Sequence, residues 1–213
     1  MKRIIVYFLS VAFLFGCNNS PKNQSSIKFG ALLSLSGDIA EYGQRAKKGI
    51  DLAVEEINAG NGIDGKKIEI IYEDTKGYPK DGVNGAQKLL SDKDIQLIIG
   101  PIASSVALAV EPLTTKNKVI LFSPAASSPK LSGISKYFFR NWPSDVLEAA
   151  VLAEYVKDTL KIDNAAILYV NNDYGLGLSN RFKQRFEELG GKILSFETYL
   201  QDAKDFRAQL AKI

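Results

Sequence analysis

The sequence predicts an α/β protein built from doubly wound parallel sheets with helices on both faces. Short apolar runs begin at residues 27, 67, 95 and 119, and segments with helical spacing of apolar residues follow them. Such alternation is typical of parallel sheets whose strands are joined by crossover helices. With 46% hydrophobic and 24% charged residues among 213, the composition is that of an ordinary globular protein.

The first part of the chain alternates strands and helices in a regular order. We predict strands over residues 27–33, 67–72, 95–99 and 119–122, and helices over residues 42–58, 81–91 and from Ser104 onward. Pro112 is expected to kink or shorten the third helix, because proline has no backbone N–H to donate to the preceding turn. Residues 136–142 predict a further strand or a crossover, so we place the first lobe over residues 27–142.

The pattern starts again after the sequence Pro143-Ser144-Asp145, which opens a new helix. Strands are predicted over residues 165–170 and 192–196, and helices over residues 178–189 and from 202 to 213. Two strands and three helices cannot cover both faces of a doubly wound sheet. We therefore expect residues 143–213 to form the incomplete start of a second lobe.

Residues 1–16 have the pattern of an export signal. Two basic residues precede an apolar run over 4–15, which is shorter than the about 20 residues of a membrane-spanning helix. Gly16-Cys17 and the polar residues after it resemble a bacterial lipoprotein signal, in which cleavage precedes a lipid-carrying cysteine. We expect lipid on Cys17, a polar tether within residues 17–26, and an extracytoplasmic protein anchored to a bacterial membrane. The alternative is an ordinary signal with a buried cysteine.

Histidine is absent from the sequence and cysteine occurs once. These counts exclude serine and cysteine nucleophiles paired with histidine, zinc sites built on histidine or cysteine, and disulfides within the chain. We expect no metal, no cofactor and no catalysis.

Removal of residues 1–16 takes away two of the 27 basic residues and leaves a net charge of +1. No basic cluster predicts a nucleic-acid partner.

The segment Ser36-Gly37-Asp38-Ile39-Ala40-Glu41-Tyr42-Gly43, followed by a helix containing residues 49–53, resembles the type I periplasmic binding proteins of the leucine/isoleucine/valine branch. Further matching segments follow in the same order: Glu73-Asp74, residues 100–105, 123–127 and 172–177. Phe139-Arg140 before residues 143–145 is similar to the crossover into the second lobe. The resemblance covers residues 27–213.

The resemblance implies two lobes that close on a ligand between them. It implies a receptor of an ABC importer that binds a branched-chain or other hydrophobic amino acid, acts as a monomer and delivers the ligand to a permease. Family chains are longer, and a carboxylate in their later part usually binds the ligand ammonium. The alternative is a ligand-sensing module of a signalling receptor with the same fold.

Ser104 and Ser105 stand between the carboxyl end of a predicted strand and the start of a helix. Open α/β sheets bind ligands at this edge, and the free N–H groups of a helix N-terminus favour anions. The resemblance implies that Ser104, with Ser105, hydrogen-bonds the carboxylate of an amino acid. The alternative is that Ser104 only caps the helix, which is a common role of serine.

Ala125, Ala126 and Ser127 follow the carboxyl end of the next predicted strand. Their small side chains allow a ligand to touch the main chain, so the resemblance implies that the Ala125 carbonyl accepts from an ammonium group. The N–H and hydroxyl groups of Ser127 can donate to a carboxylate. The alternative is a proline-containing turn whose small residues serve packing alone.

Tyr42, Trp142 and Tyr174 are aromatic residues at the cleft that the resemblance implies. Tyr42 and Tyr174 follow strands in different lobes, so closure would bring both over one ligand. Trp142 lies at the predicted crossover, where it either forms a wall of the side-chain pocket or packs the hinge. For each tyrosine the alternative is a half-buried ring with its hydroxyl in water.

Two other motifs suggest different functions and are disfavoured. The glycines at 175 and 177, followed by Glu197 at a strand end, imitate a dinucleotide-binding sequence, but Asn180 replaces its third glycine. Four residues also separate the strand from these glycines. Glu73 and Asp74 could act as paired acid and base in an enzyme, but adjacent strand residues point to opposite faces.

Overall fold

The computed structural model describes residues 26–213. In chain order its elements are β1 (Ile27–Leu33), α1 (Ala40–Ala59), β2 (Ile68–Asp74), α2 (Pro79–Ser91), β3 (Leu97–Ile99), α3 (Ser104–Asn117), β4 (Ile120–Ser123), β5 (Phe138–Arg140), α4 (Asp145–Glu154), β6 (Asn164–Val170), α5 (Asp173–Glu188), β7 (Lys192–Tyr199) and α6 (Arg207–Leu210). None of these helices is long and apolar enough to cross a membrane. The predicted signal, Cys17 and the tether up to residue 25 lie outside the described residues.

Five strands form one parallel sheet in the order β2-β1-β3-β4-β5. The order confirms the predicted doubly wound arrangement, whose ligands bind at the carboxyl ends of the strands where the order reverses, here β1 and β3. Ala31 of β1 lies opposite Tyr72 on one side and Ile99 on the other. β5 pairs with β4, so the segment predicted as a strand or a crossover joins the first sheet.

Helices cover both faces of this sheet, which explains why its strands are apolar along most of their length. On one face α1 packs over a cluster that contains Ala31, Leu33 and Ile102. On the other face α2 and α3 pack over a larger cluster that includes Leu32 and Ile98. Burial of one such leucine or isoleucine side chain contributes about 1.5–3 kcal/mol. The first unit, residues 27–142, therefore has a hydrophobic core on each face of its sheet.

The second unit, residues 143–213, contains a sheet of two parallel strands, β6 and β7, as the sequence predicts. α5 packs on these strands and α4 packs on α5, where Phe186 is fully buried. Neither strand has a buried residue. α4 exposes apolar side chains: Val146, Leu147, Val151 and Leu152. The sheet of this unit is therefore much less covered than the first sheet.

Two predictions about helices are wrong. The shortening of the third helix that was one of the two effects expected of Pro112 does not occur. α3 continues to Asn117, because proline removes a single backbone hydrogen bond and the helix stays packed through Val110 and Thr114. The helix predicted from residue 202 onward is confined to α6. None of the residues of α6 is buried, and a helical turn without tertiary packing is only marginally stable.

Candidate functional site

The loops after β3 and β4 are joined by Ser104. Its hydroxyl oxygen accepts hydrogen bonds from the backbone N–H groups of Ser127 and Ser128, both at 3.1 Å. Ser104 and Ser105 are both buried in the first turn of α3. The N-cap position of α3 is Ala103, which makes no side-chain capping bond, so the alternative role of Ser104 as a helix cap is wrong.

The loop of Ala125, Ala126 and Ser127 is held by a second buried hydroxyl. Ser123, the last residue of β4, donates to the Pro101 carbonyl at 2.6 Å and accepts from the N–H of Ala126 at 2.9 Å. The N–H of Ser127, which was expected to donate to a ligand carboxylate, donates to the Ser104 hydroxyl in this structure. This role of Ser123 was not predictable from the sequence, because a serine at a strand end carries no local signal.

Arg140 fixes the same loop from β5. Its guanidinium donates to the carbonyl oxygens of Ala126 at 3.2 Å and Ser128 at 3.0 Å, and to the Ser132 hydroxyl at 2.8 Å. Burial lowers the pKa of Arg140, although the nearby Asp145 opposes the change. The sequence predicts Arg140 within the crossover but gives no indication that it organises the loop.

Asp145, the first residue of α4, lies wholly buried against this loop. Its backbone N–H donates to the Ser127 carbonyl at 3.0 Å. No described residue offers either of its carboxylate oxygens a hydrogen bond of normal geometry. Burial raises the pKa of the Asp145 carboxyl and Glu148 raises it further, while the Ser127 hydroxyl and the Arg140 guanidinium oppose the rise. The sequence predicted only that a helix opens here.

Tyr174 and Tyr42 lie near one another at the boundary of the two units. Tyr174, in the first turn of α5, is 40% exposed, and Tyr42, in the first turn of α1, is 64% exposed. Burial raises the pKa of Tyr174, and nearby side chains raise it further: Glu148, Asp145, Tyr42 and Tyr199. Trp142 is 49% exposed and lies between β5 and α4. The two tyrosines are thus close enough to interact electrostatically, and Trp142 lies at the crossover.

Contacts on two sides hold the units against each other. Lys130 of the first unit pairs with Asp173 of α5 at 2.8 Å, and Lys204 of the second unit pairs with Asp38 at 3.3 Å. The units also approach each other closely at Gly177 of α5, where an added Cβ atom would lie 2.9 Å from the Cδ atom of Pro129. The N-terminal turns of α5 therefore face the loop that Ser104 organises.

The glycines of the disfavoured dinucleotide motif have a packing role. Gly175 and Gly177 lie inside α5, which begins earlier than predicted because the Asn172 side chain caps it by accepting from the Gly175 N–H at 2.9 Å. A Cβ at Gly175 would lie 2.1 Å from the Val170 carbonyl oxygen. β6 therefore leads directly into α5. Because both glycines lie within this helix, they form no phosphate-binding turn.

The carboxylates of Glu73 and Asp74 both bind neighbouring groups of the fold. Glu73 forms an ion pair with Lys88 at 2.9 Å. Asp74 accepts hydrogen bonds from the N–H groups of Leu35, Ser36 and Lys76 and from the Ser36 hydroxyl. Burial alone would raise the pKa of Asp74, but these hydrogen bonds lower it below its usual value. Both carboxylates stabilise the end of β2, which disfavours the acid–base alternative.

The sequence matches the family described as "Periplasmic binding protein" over residues 26–213. Among curated proteins it is similar to Leu/Ile/Val-binding protein homolog 3 of Brucella melitensis biotype 1, with 31% identity over 205 residues. This match covers 96% of the chain and 55% of the relative. The chain spans about half the length of the curated relatives it matches.

Two solved structures are similar over most of the described chain. The branched-chain amino acid transporter substrate binding protein LivJ of Streptococcus pneumoniae, in complex with isoleucine, has a TM-score of 0.80 and 31% identity, covering 89% of this chain and 54% of that one. A solute binding protein of an ABC transporter from Rhodopseudomonas palustris BisB5, in complex with 3,4-dihydroxybenzoic acid, has a TM-score of 0.79 and 26% identity, covering 88% and 51%.

Proposed function

The chain belongs to the periplasmic binding protein family, and from this premise we propose that it is the solute-binding receptor of an ABC importer. It would bind an amino acid outside the cytoplasm, between closing lobes, and deliver it to a membrane permease. The named relatives and the isoleucine complex support a branched-chain or other hydrophobic amino acid. Binding would shift an equilibrium between open and closed lobes with no chemical step. We propose a monomer that needs no cofactor.

One observation carries this proposal: the loops after β3 and β4 are tied together at the sheet edge that faces the second unit. Ser104 joins these loops through two hydrogen bonds, and Tyr174 of α5 lies across the boundary from them. The carboxyl edge of a doubly wound sheet is where ligands bind. The two lobes of the proposed receptor are residues 27–142 and the part of the second lobe within residues 143–213.

The Ser104 hydroxyl is a suitable donor for a ligand carboxylate. A serine hydroxyl has two acceptor sites and one proton to donate. Both acceptor sites are used by the N–H groups of Ser127 and Ser128, so the proton points away from these groups. We propose that this proton and the first turn of α3, including Ser105, bind the carboxylate of the amino acid.

The remaining proposed contacts surround the rest of the ligand. The main chain of Ala125 and Ala126 and the hydroxyl of Ser127 would bind its amino group and carboxylate. Tyr42 and Tyr174 would close over it from the two lobes, and Trp142 would border its side chain. These aromatic rings are half-buried or exposed in the structure, as contact with a bound side chain requires.

We also propose that residues 1–16 are removed as a signal and that Cys17 carries lipid. The short apolar run and the cysteine directly after Gly16 support this proposal. One acyl chain binds a membrane only marginally, so stable anchoring requires several chains on this cysteine. Growth with labelled palmitate, followed by mass analysis of the N-terminal peptide, tests the proposal, and an unlipidated Cys17 would overturn it.

Calorimetric titration tests the proposed ligand class. Leucine, isoleucine, valine and 3,4-dihydroxybenzoate would each be titrated into a Cys17→Ser protein expressed from the full reading frame, with the 213-residue chain titrated in parallel. We expect saturable heat with the amino acids and unchanged ligand afterwards. Absence of heat with all three amino acids would contradict the proposed solute.

A variant pair tests the proposed carboxylate site. Ser104→Ala removes the donor and frees two buried N–H groups, so we expect at least about tenfold weaker binding of isoleucine, the loss for one hydrogen bond to a charged group. Ser91→Ala is the matched control, because its hydroxyl only donates to the Lys88 carbonyl at the end of α2. Equal affinities of the two variants would remove Ser104 from the site.

A further inference from the structure

Gly177 of α5 faces the loop after β4 across the boundary between the units. An added Cβ atom there would lie 2.9 Å from the Pro129 Cδ atom and 3.5 Å from the Ser128 hydroxyl oxygen. Ser128 is fully buried, so no solvent-filled gap separates it from α5. Non-bonded carbon atoms normally pack at about 3.5–4.0 Å. The observed approach of α5 to this loop therefore requires a residue without a side chain at position 177.

The loop is held in place on the side away from α5. The Ser128 N–H donates to the Ser104 hydroxyl, and the Ser128 carbonyl accepts from Arg140, so hydrogen bonds hold this residue on both sides of its backbone. Pro129 follows directly, and its Cδ atom belongs to a ring bonded to the backbone nitrogen. Leu131, in the same short helical turn, is buried in the larger core cluster. A methyl group added on α5 would therefore displace the helix instead of the loop.

Displacement of α5 would move Tyr174 as well. Tyr174 lies three residues before Gly177, so the two residues share one face of the helix. A shift of about 0.6–1 Å would restore normal packing at position 177. Because α5 packs on α4, β6 and β7, this shift would separate the second unit from the first. Binding groups must be held within about 0.5 Å of their productive positions, so such a shift would weaken a site between the units.

We propose that Gly177 is a positioning residue for solute binding, because its missing side chain lets α5 and Tyr174 close onto the loop of residues 123–128. This inference rests on the proposed solute-binding function. The effect acts through α5 and requires no contact between Gly177 and the solute. A glycine that imitates a dinucleotide motif in the sequence thereby sets how closely the two units approach.

The test compares Gly177→Ala with Gly49→Ala in the Cys17→Ser protein from the full reading frame. Alanine is favoured over glycine inside a helix, so each change should favour its own helix. Gly49→Ala is the matched control, because a Cβ in the middle of α1 would meet no atom of residues 26–213 outside its own helix within 4 Å. Titration should show about tenfold weaker isoleucine binding by Gly177→Ala, as overpacking of a rigid contact predicts. Equal affinities of the two variants would overturn the proposal.

Pro129→Ala supplies a rescue, because it removes the Cδ atom that the new methyl group would contact. In the Pro129→Ala background, Gly177→Ala should weaken isoleucine binding by no more than about twofold, since the two substituted residues share this one contact. A loss that stayed near tenfold in this background would show that position 177 acts through the local structure of α5. That result would also overturn the proposal.

Crosslinking tests the contact without a ligand. If the Cys17→Ser protein binds no amino acid, the proposed function is contradicted, but the approach of the units can still be measured. Lys130→Cys and Asp173→Cys place two thiols across the boundary beside Gly177, where the native side chains pair at 2.8 Å. A short bifunctional thiol reagent should join them at least about threefold more slowly with Gly177→Ala than with Gly49→Ala, because overpacking lowers the population of the close arrangement. Equal rates would overturn the proposal independently of any ligand.

Discussion

The two units of the chain differ in how well their strands are covered. In the first unit, the last four residues of β1 are buried between helices on both faces of the sheet. In the second unit, β6 and β7 have no buried residue, and α4 exposes four large apolar side chains. Similar strand–helix alternation in the sequence therefore produces a sheet buried on both faces in one unit and a partly exposed sheet in the other.

This difference shows which contacts give each unit its stability. The first unit is stabilised by its own two cores, while the second unit depends more on α4–α5 packing and on contacts with the first unit. A ligand bound between the units would therefore stabilise the second unit more than the first. The following substitutions compare the two units, from the largest expected effect to the smallest.

A strand leucine in each unit gives the largest contrast. Leu32→Ala empties a fully buried site in β1 and should lower the free energy of unfolding by about 2–5 kcal/mol. Leu168→Ala, at a half-buried position in β6, should cost about 1 kcal/mol. Urea unfolding followed by the fluorescence of Trp142 measures both, and equal costs would contradict the difference in coverage.

Buried serines provide the second comparison. Ser123→Ala leaves the Pro101 carbonyl and the Ala126 N–H without their buried partner and should cost about 1–3 kcal/mol. Ser179→Ala in α5 removes a single bond to the Leu176 carbonyl one helical turn away, so its cost should be close to zero. Thermal unfolding of the two variants measures the difference. A larger cost at Ser179 would show that the loop after β4 is not held as described.

Acid stability should depend on Asp74 more than on Asp163. The folded-state pKa of Asp74 is lowered, so its charge stabilises the fold above the unfolded pKa near 3.8, and this contribution is lost as the pH falls through the folded-state pKa. Asp74→Asn should cost about 1–2 kcal/mol at pH 7 and progressively less below pH 4.

Asp163→Asn is the control for Asp74→Asn. The pKa of Asp163 is also lowered, by a hydrogen bond from Lys157, but the carboxylate is solvent-exposed. Its loss should leave the pH dependence almost unchanged. Urea titrations at pH 3, 5 and 7 separate the two variants. A cost of Asp74→Asn that stayed constant with pH would show that its charge is not the stabilising feature.

The Lys130–Asp173 ion pair between the units has the smallest expected effect. Lys130→Ala removes the contact with Asp173 and should lower stability by less than about 1 kcal/mol, with a further decrease of the effect in high salt. Lys212→Ala removes a similarly exposed pair with Glu197 inside the second unit. Small-angle scattering should show greater separation of the units in Lys130→Ala alone. Identical scattering of both variants would mean that this pair does not hold the units together.

The fold was largely predictable because its signals are local. Apolar runs and helical spacing located the first four strands of the first sheet, whereas the segment of β5 was predicted as either a strand or a crossover. The restart of the pattern after residue 142 located the second unit. The ends of helices were less predictable. Burial of Val110 and Thr114 allows α3 to continue past Pro112, whereas α6 lacks any burial that would extend it. Both outcomes depend on tertiary packing.

The candidate site was predictable in part. Ser104 and Ser127 were each singled out because they follow the carboxyl ends of strands, and the structure joins them directly. The resemblance also suggested Tyr42 and Tyr174, which influence each other electrostatically at the boundary. Their binding roles stay predictions. The contacts of Ser123, Arg140 and Asp145 were not predicted, because they depend on how β4, β5 and α4 are placed around one loop.

Amide hydrogen exchange with and without isoleucine tests most directly whether the site lies between the two units. The measurement would use the Cys17→Ser protein from the full reading frame at saturating isoleucine. We predict increased protection in residues 100–105 and 123–128 of the first unit and, simultaneously, in residues 172–176 of the second. Protection confined to the first unit, or none in these segments, would contradict the account of a ligand enclosed by both.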